Sequence, residues 1–341
     1  MGPDRAYLRI QELDAVRGVA LCGTLVVDIC QLTDMRATVE PGIVDPIRHL
    51  LSVLFEGRFF PIFSFLFGLS FSLLLDRAAQ RTDRPRLVLA RRLIALGVLG
   101  LIHQVFQPGE ALLPYAIVGS VILLPAASLP RWVLLLAGLV CTIGVPVALG
   151  GGFGLVPGLF LLGLAADRFG LAEDLSELGW QVVVVFALAA PAAVVVGTWE
   201  YRIPYAELWT GSVAPLAGLL GALAYLTGVL LVLRTETGEV FAEVLEPMGR
   251  MALTNYLSAT ALILTADPWL HLSDSNRYGT LLGLAFAIIA VQALWSYHWL
   301  RWFRYGPFEW VLRCVTWWQL VPNRLTRQER RKLTVAYGRG R

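Results

Sequence analysis

Apolar runs long enough to cross a bilayer alternate along this chain with short segments that hold most of its charged residues. A transmembrane helix needs about 20 predominantly apolar residues. The pattern delimits ten such runs, at residues 16–29, 59–75, 93–105, 112–127, 133–149, 153–166, 182–197, 213–233, 251–265 and 281–300. The expected fold is therefore all-α, a polytopic integral membrane helix bundle of about ten transmembrane helices. Residues 44–55 are apolar but short and carry Arg48 and His49, which predicts an interfacial helix lying on the membrane and leading into the second span.

Composition acts by exclusion. Hydrophobic residues make up 57% of the 341 and charged residues 16%, with mean hydropathy +0.65, whereas soluble domains carry roughly 25% charged residues. The spans leave no room for a soluble catalytic domain. A net charge of +3 is too small to point to nucleic acid, so no nucleic-acid partner is expected, and the lipid bilayer is the first partner.

The arginines set the orientation. Arg5, Arg9 and Arg17 precede the first run, Arg77, Arg81, Arg84, Arg86, Arg91 and Arg92 join the second to the third, and Arg234 follows the eighth. A basic tail over 327–341 follows the tenth. With ten crossings all of these fall on one side, which predicts a multi-pass protein of the inner (plasma) membrane with both termini cytoplasmic. No small-residue cleavage site follows the first run, so it is expected to stay as an uncleaved signal anchor.

Cys22, Cys30, Cys141 and Cys314 show no metal-ligand spacing, and no metal is expected. Small residues recur every four positions at Ser64, Gly68 and Ser72, at Gly154 and Gly158, and at Ala214, Gly218 and Ala222. Such stripes let helices approach closely where burial of apolar side chains contributes little, and they leave a homo-oligomer open. Trp302, Trp310, Trp317 and Trp318 form the expected aromatic belt at the inner interface.

Ionisable residues at spans are costly and usually face the bundle interior. Asp14 and Arg17 lie three residues apart and can pair on one helix face. Asp28 lies near the outer end of the same span and needs a partner. His103 and Glu110 bracket a Pro108-Gly109 turn, which suits a hairpin bringing imidazole and carboxylate together at the outer surface. His49 falls on the same outer side. His271 and His298 read as loop and span-end residues. On the inner side, the runs 248–256 and 305–313 place Arg250, Asn255, Tyr256, Glu309 and Arg313 where an anionic cytosolic ligand could meet two arginines. An inner-leaflet anchor of Arg and Trp is the competing account of the same residues.

Several of these segments also carry a family resemblance. Arg9-Ile10, Leu13-Asp14-Ala15-Val16-Arg17-Gly18, Phe63-Ser64-Phe65-Leu66-Phe67-Gly68, the His103 to Ala116 segment, Gly249 to Tyr256 and Gly306 to Arg313 resemble the successive signatures of the YeiB-like bacterial membrane proteins. The C-terminal half of those proteins is catalogued as domain of unknown function 418. The resemblance spans nearly the whole chain, and it divides it into membrane helices over 1–175 similar to a transmembrane acyltransferase core, helices over 176–326 similar to that domain, and the tail.

More distantly, the family is similar to transmembrane acyltransferases such as the lysosomal heparan-glucosaminide acetyltransferase, which use a histidine. Asp28 falls where such proteins commonly have a polar residue, often Asn, and Glu110 stands where the closer family usually has Asp. His49 occupies the segment that holds the acetyltransferase's histidine, without a local motif to match. The resemblance implies an acyltransferase that moves an acyl group from cytosolic acyl-CoA to an unknown hydroxyl or amine acceptor at the outer face. Acyl-CoA would be a co-substrate, with no tightly bound cofactor. Its phosphates would lie near Arg17, Arg250 or Arg313, with Asn255 and Glu309 beside them. His103, oriented by Glu110 or Asp28, would be the general base, with His49 its rival. The alternative is a transporter or flippase in which Asp28, His103 and Glu110 form a proton relay, although no internal repeat is evident. A membrane scaffold without activity is the third possibility.

Overall fold

The computed structural model describes residues 3–328 except 41–42, 150, 172–174, 176 and 209–210. The basic tail from 329 onward lies outside the described residues. Among the described residues the fold is built of helices joined by turns, with one short hairpin. Helix α1 spans Pro3–Leu32, the hairpin pairs β1 (Thr38–Glu40) with β2 (Ile43–Val44) in antiparallel fashion, and α2 (Pro46–Phe55), α3 (Phe60–Ala79) and α4 (Pro85–His103) follow. Next come α5 (Leu112–Val118) and α6 (Leu124–Ala126), joined by a wide π turn, then α7 (Arg131–Leu149), α8 (Leu155–Arg168) and α9 (Gly179–Tyr201). The remainder is α10 (Val213–Leu233), α11 (Glu236–Arg250), α12 (Ala252–Leu270), α13 (Tyr278–Leu300) and α14 (Pro307–Trp317).

Local chemistry explains where these helices start. Proline, whose missing N–H costs nothing in a first turn, opens α2, α3, α4 and α14. Asp45 caps α2 by accepting from the Ile47 amide, and Thr235 caps α11 by accepting from Gly238. The π turn at Gly119–Leu123 comes just before Pro125, which can neither donate to the ladder nor sit close to the carbonyl four residues back.

Nine of the ten apolar runs lie mainly on a single helix, and that at 112–127 is divided among α5, the π turn and α6. Among the described residues, five segments are long and apolar enough to cross a membrane: Pro46–Ala79, Arg131–Ala148, Gly179–Tyr201, Val213–Leu233 and Tyr278–Leu300. Helices α7 and α9 are peripheral and leave Leu136, Val140, Ile143, Val147, Leu188, Val194 and Val195 exposed, a surface suited to lipid tails.

Helix α1 runs through the centre. Its Leu25, Val26 and Ile29 pack with Ile263, Leu281 and Ile288, while Val16 and Ala20 pack with Ile62, Leu66 and Ala222. A separate core joins α3, α4 and α8 around Phe160, Leu89 and Leu93. The small-residue stripe on α3 faces α8. A Cβ on Gly68 would overlap the Phe160 carbonyl, and one on Gly163 would overlap that of Phe65, so the two backbones touch where each lacks a side chain.

Helix α2, expected at 44–55 as an interfacial helix, turns one face into the bundle and leaves Ile47, Leu50 and Leu54 exposed on another. Arg48, Leu51 and Ser52 are buried, because Arg48 donates to Glu56 at 2.7 Å inside the bundle. A paired guanidinium can enter the protein where an unpaired one would have to stay at the lipid surface.

Candidate functional site

The two ends of the bundle differ in their polar chemistry. At one end the turn after α1, the α4–α5 turn and the α12–α13 turn meet: the backbone amide of Arg36 donates to the Ser275 carbonyl at 3.1 Å and Gly109 lies against Gln31. Towards the other, Arg17 on α1 reaches Ser70 at the middle of α3 at 2.5 Å.

The first end carries a directed chain of hydrogen bonds. Helix α4 stops at His103, and residues 104–111 fold back through bonds from the Phe106 and Gln107 amides to the His103 carbonyl, 2.9 and 3.0 Å. Glu110 then serves as the cap of α5. Its two oxygens accept from the amides of Leu112 at 2.5 Å and Leu113 at 2.8 Å, donors that no helical carbonyl reaches. Gly100 makes the tight approach of α4 to this turn feasible, since a Cβ there would lie 2.5 Å from the Leu113 nitrogen.

His103, Gln107, Glu110 and Thr260 are all buried. Gln107 donates from Nε2 to Oδ1 of Asp28 at 2.8 Å, which leaves its Oε1 as an acceptor. Thr260 on α12 donates its only hydroxyl proton to that Oε1 at 2.7 Å. The same Thr260 oxygen lies 2.9 Å from Nε2 of His103 and can then only accept, so Nε2 carries the ring proton. Nδ1 is left as the basic nitrogen. It has no hydrogen-bond partner and sits 3.7 Å from Oε1 of Glu110. Tyr256 packs against the His103 ring in a T-shaped contact at 5.1 Å, its hydroxyl accepting from the Ala111 amide at 3.4 Å.

His103, Glu110 and Asp28 thus come together, while His49 does not join them. The His49 ring stacks on Tyr201 at 4.5 Å, beside a second buried polar group that includes the Arg48–Glu56 pair. There Arg58 also pairs with Glu200 and donates to the Glu56 carbonyl at 2.8 Å. Asp28 and Cys30, two positions apart on α1, face these two groups from roughly opposite sides of the helix.

At the other end, Arg17 pairs with Asp14 at 2.5 Å, and Arg250 sits 3.7 Å from Glu246. The remaining expected residues there are committed to packing. Asn255 donates to the Met248 carbonyl and to Ser296, both at 3.0 Å, and Gln292 donates to the Asn255 carbonyl at 2.7 Å. Glu309 accepts from the amide and hydroxyl of Thr254 at 3.0 and 2.5 Å, and its burial pushes the carboxyl above the usual carboxylate range. Tyr256, grouped with this set from the sequence, instead contacts His103 and the Ala111 amide, because it points from another face of α12 than its neighbour Asn255. Arg313 lies over the Tyr305 ring at 4.7 Å and keeps a buried Nε without a partner. Arg92 lies within electrostatic range of Arg17, Arg313 and Glu309. Among the described residues, no group of three His, Cys, Asp or Glu side chains could hold a metal ion.

Sequence reasoning missed Gln107, Thr260, Arg92 and the Arg58–Glu200 pair. A glutamine one turn after the histidine was a signal for the first. Thr260, a lone hydroxyl in an apolar run, gave none.

These features define a helical membrane protein, and comparison places it in a family. Residues 166–319 match the family described as "Protein of unknown function (DUF418)", and residues 9–189 match that described as "Heparan-alpha-glucosaminide N-acetyltransferase, catalytic". An "Uncharacterized 39.9 kDa protein in amylase 3'region" of Bacillus acidopullulyticus is 32% identical over 96% of this chain and 99% of its own length. YxaH of Bacillus subtilis (strain 168) is 25% identical over 93% of this chain and 96% of its own, and YeiB of Escherichia coli (strain K12) 27% over 89% and 95%. The chain belongs to this YeiB-like, DUF418-containing family. No solved structure shows a significant match.

Proposed function

We propose that this protein is a membrane acyltransferase that takes an acyl group from cytosolic acyl-CoA and passes it to a hydroxyl or amine acceptor at the outer face. The observation that carries the reading is the Asp28–Gln107–Thr260–His103 chain, which leaves Nδ1 basic beside Glu110. Nδ1 takes the acceptor's proton as the acceptor attacks the thioester carbonyl. The C–S bond then breaks, and the leaving thiolate takes the proton from the imidazolium. Glu110 stabilises that imidazolium, and Thr260 holds the ring in one tautomer. The match to an acetyltransferase catalytic domain supports the same chemistry.

Dimensions agree with a donor that enters from the arginine-rich end. Arg17 and Asp28 are eleven residues apart on α1, about 16 Å at 1.5 Å per residue. An extended pantetheine arm has the backbone length of roughly four residues, about 14 Å. Phosphates near Arg17, Arg92 or Arg313 therefore let the thioester reach the His103 end. Arg250, paired with Glu246, is the less available cation of that end.

In this reading ten helices cross the bacterial inner membrane and both termini face the cytoplasm, as the arginine asymmetry requires. Asp83→Cys should be labelled only from the cytoplasm; labelling from the periplasm would reverse the orientation. The test of function is release of CoA thiol from acetyl-CoA by purified protein in detergent, with amino sugars, sugars or phospholipids as acceptors. Acceptor-dependent release is expected. Its absence with every acceptor class, together with substrate-coupled proton flux in proteoliposomes, would favour a transporter.

A further inference from the structure

A cavity of about 480 Å³ opens at the arginine-rich end, between the α3–α4 turn, the first turns of α4, helix α14 and the segment after it. Arg81, Arg91 and Arg313 line it together with Trp317, Val321 and Pro322. None of the three guanidinium groups has a carboxylate within ion-pair distance among the described residues. Each instead lies over an aromatic ring: Arg81 on Trp317 at 5.1 Å, Arg91 on Trp318 at 5.6 Å and Arg313 on Tyr305 at 4.7 Å. A ring face steadies a guanidinium without neutralising it or using its N–H donors. Arg313 also keeps a buried Nε with no partner.

Three like charges around one cavity repel unless an anion joins them, and the forked donors of arginine match phosphate oxygens. The rim is apolar: Trp318 is 75% exposed and Leu320 80%. Side chains of that size left open beside a basic pocket suit a ligand that carries an apolar or aromatic body on its phosphate.

We propose that this cavity is a phosphate site, built by Arg81, Arg91 and Arg313, for a phosphate group borne on such a body. Two sources share that chemistry, the headgroup of an anionic phospholipid in the adjoining leaflet and the phosphoadenosine end of a cytosolic acyl-CoA. The second rests on the acyltransferase reading; the first does not.

The experiment measures the thermal midpoint of the purified full-length protein in detergent against increasing short-chain phosphatidylglycerol and, separately, adenosine 3′,5′-bisphosphate. At least one is expected to raise the midpoint saturably, and whichever does so identifies the source. Arg81→Gln/Arg91→Gln should weaken that binding about tenfold or more, the scale of one lost charge-assisted contact. Arg81→Lys, which keeps the charge but not the fork, should weaken it less and guards against a folding artefact. The proposal is overturned if neither ligand shifts the midpoint, or if the double variant binds as tightly as wild type. The readout is binding, so a protein that binds phosphatidylglycerol but transfers no acyl group would sink the acyltransferase reading and leave this site standing.

Discussion

Thr260 holds Nε2 of His103 at 2.9 Å with an oxygen whose only proton is already given to Gln107, so a residue with no charge of its own decides which imidazole nitrogen is basic. That constraint passes from α1, through the α4–α5 turn, to α12, and it ties the ring to Asp28 without direct contact. In charged or neutral form, the ring presents Nδ1 toward Glu110.

Thr260→Val keeps the shape of the side chain and removes the hydroxyl. It strands Nε2 of His103 and Oε1 of Gln107 in a buried setting, which costs about 1–3 kcal/mol of stability. Turnover should fall by more than the loss of folded protein explains, because the ring is free to adopt the other tautomer. Thr260→Ser should restore both the melting temperature and turnover. A serine variant no better than valine would show that the hydroxyl does not orient the ring.

The α3–α8 contact makes a separate prediction. Gly68→Ala pushes a methyl group into the Phe160 carbonyl, whereas Gly144 on α7 has nothing within 4 Å of its added Cβ. The first substitution should destabilise by about 1–3 kcal/mol, as overpacking does, and lower the monodisperse fraction in size-exclusion chromatography. Gly144→Ala should match wild type. Equal behaviour of the two would mean that the α3 and α8 backbones do not touch.

Arg58 and Glu200 pair with side chains only 4% and 3% exposed, respectively. Removing one partner leaves a buried charge alone, so Glu200→Ala should cost about 3–5 kcal/mol, while Arg58→Met/Glu200→Leu should recover much of that loss. Thermal melts of the single and double variants separate the cases. A double variant worse than the single one would show that the charges do more than neutralise each other.

The helices were legible because the period of apolar residues and the opening prolines are local signals, and nine of the ten apolar runs lie mainly on a single helix. The approach of His103 to Glu110 was legible for a similar reason: a Pro-Gly turn folds back within a few residues. The links at Gln107 and Thr260 were not, because Thr260 lies 153 residues along the chain from the glutamine it meets, and one hydroxyl on an apolar helix gives no signal of its partner. Arg48 was read as an interfacial charge for the same reason. Its carboxylate, Glu56, lies eight residues away at the C-cap of α2, where the chain leaves the helix and the helical period no longer tells which way the side chain points. Asn255 and Glu309 were recognisable as polar residues needing partners, but their engagement with Ser296 and Thr254 depends on how α12, α13 and α14 pack.

The central claim is that Nδ1 of His103 is the general base of an acyl transfer. The most direct measurement compares acceptor-dependent CoA release by wild type, His103→Ala, Glu110→Gln and His49→Ala, each normalised to folded protein. The account predicts that His103→Ala slows release by about 10²-fold or more, the usual scale for a general base. Glu110→Gln should cost less, since it removes only the charge facing the ring, and His49→Ala, stacked on Tyr201 away from the chain of hydrogen bonds, should keep most of its activity. A fully active His103→Ala beside a dead His49→Ala would contradict the account and move the base to the α2 segment.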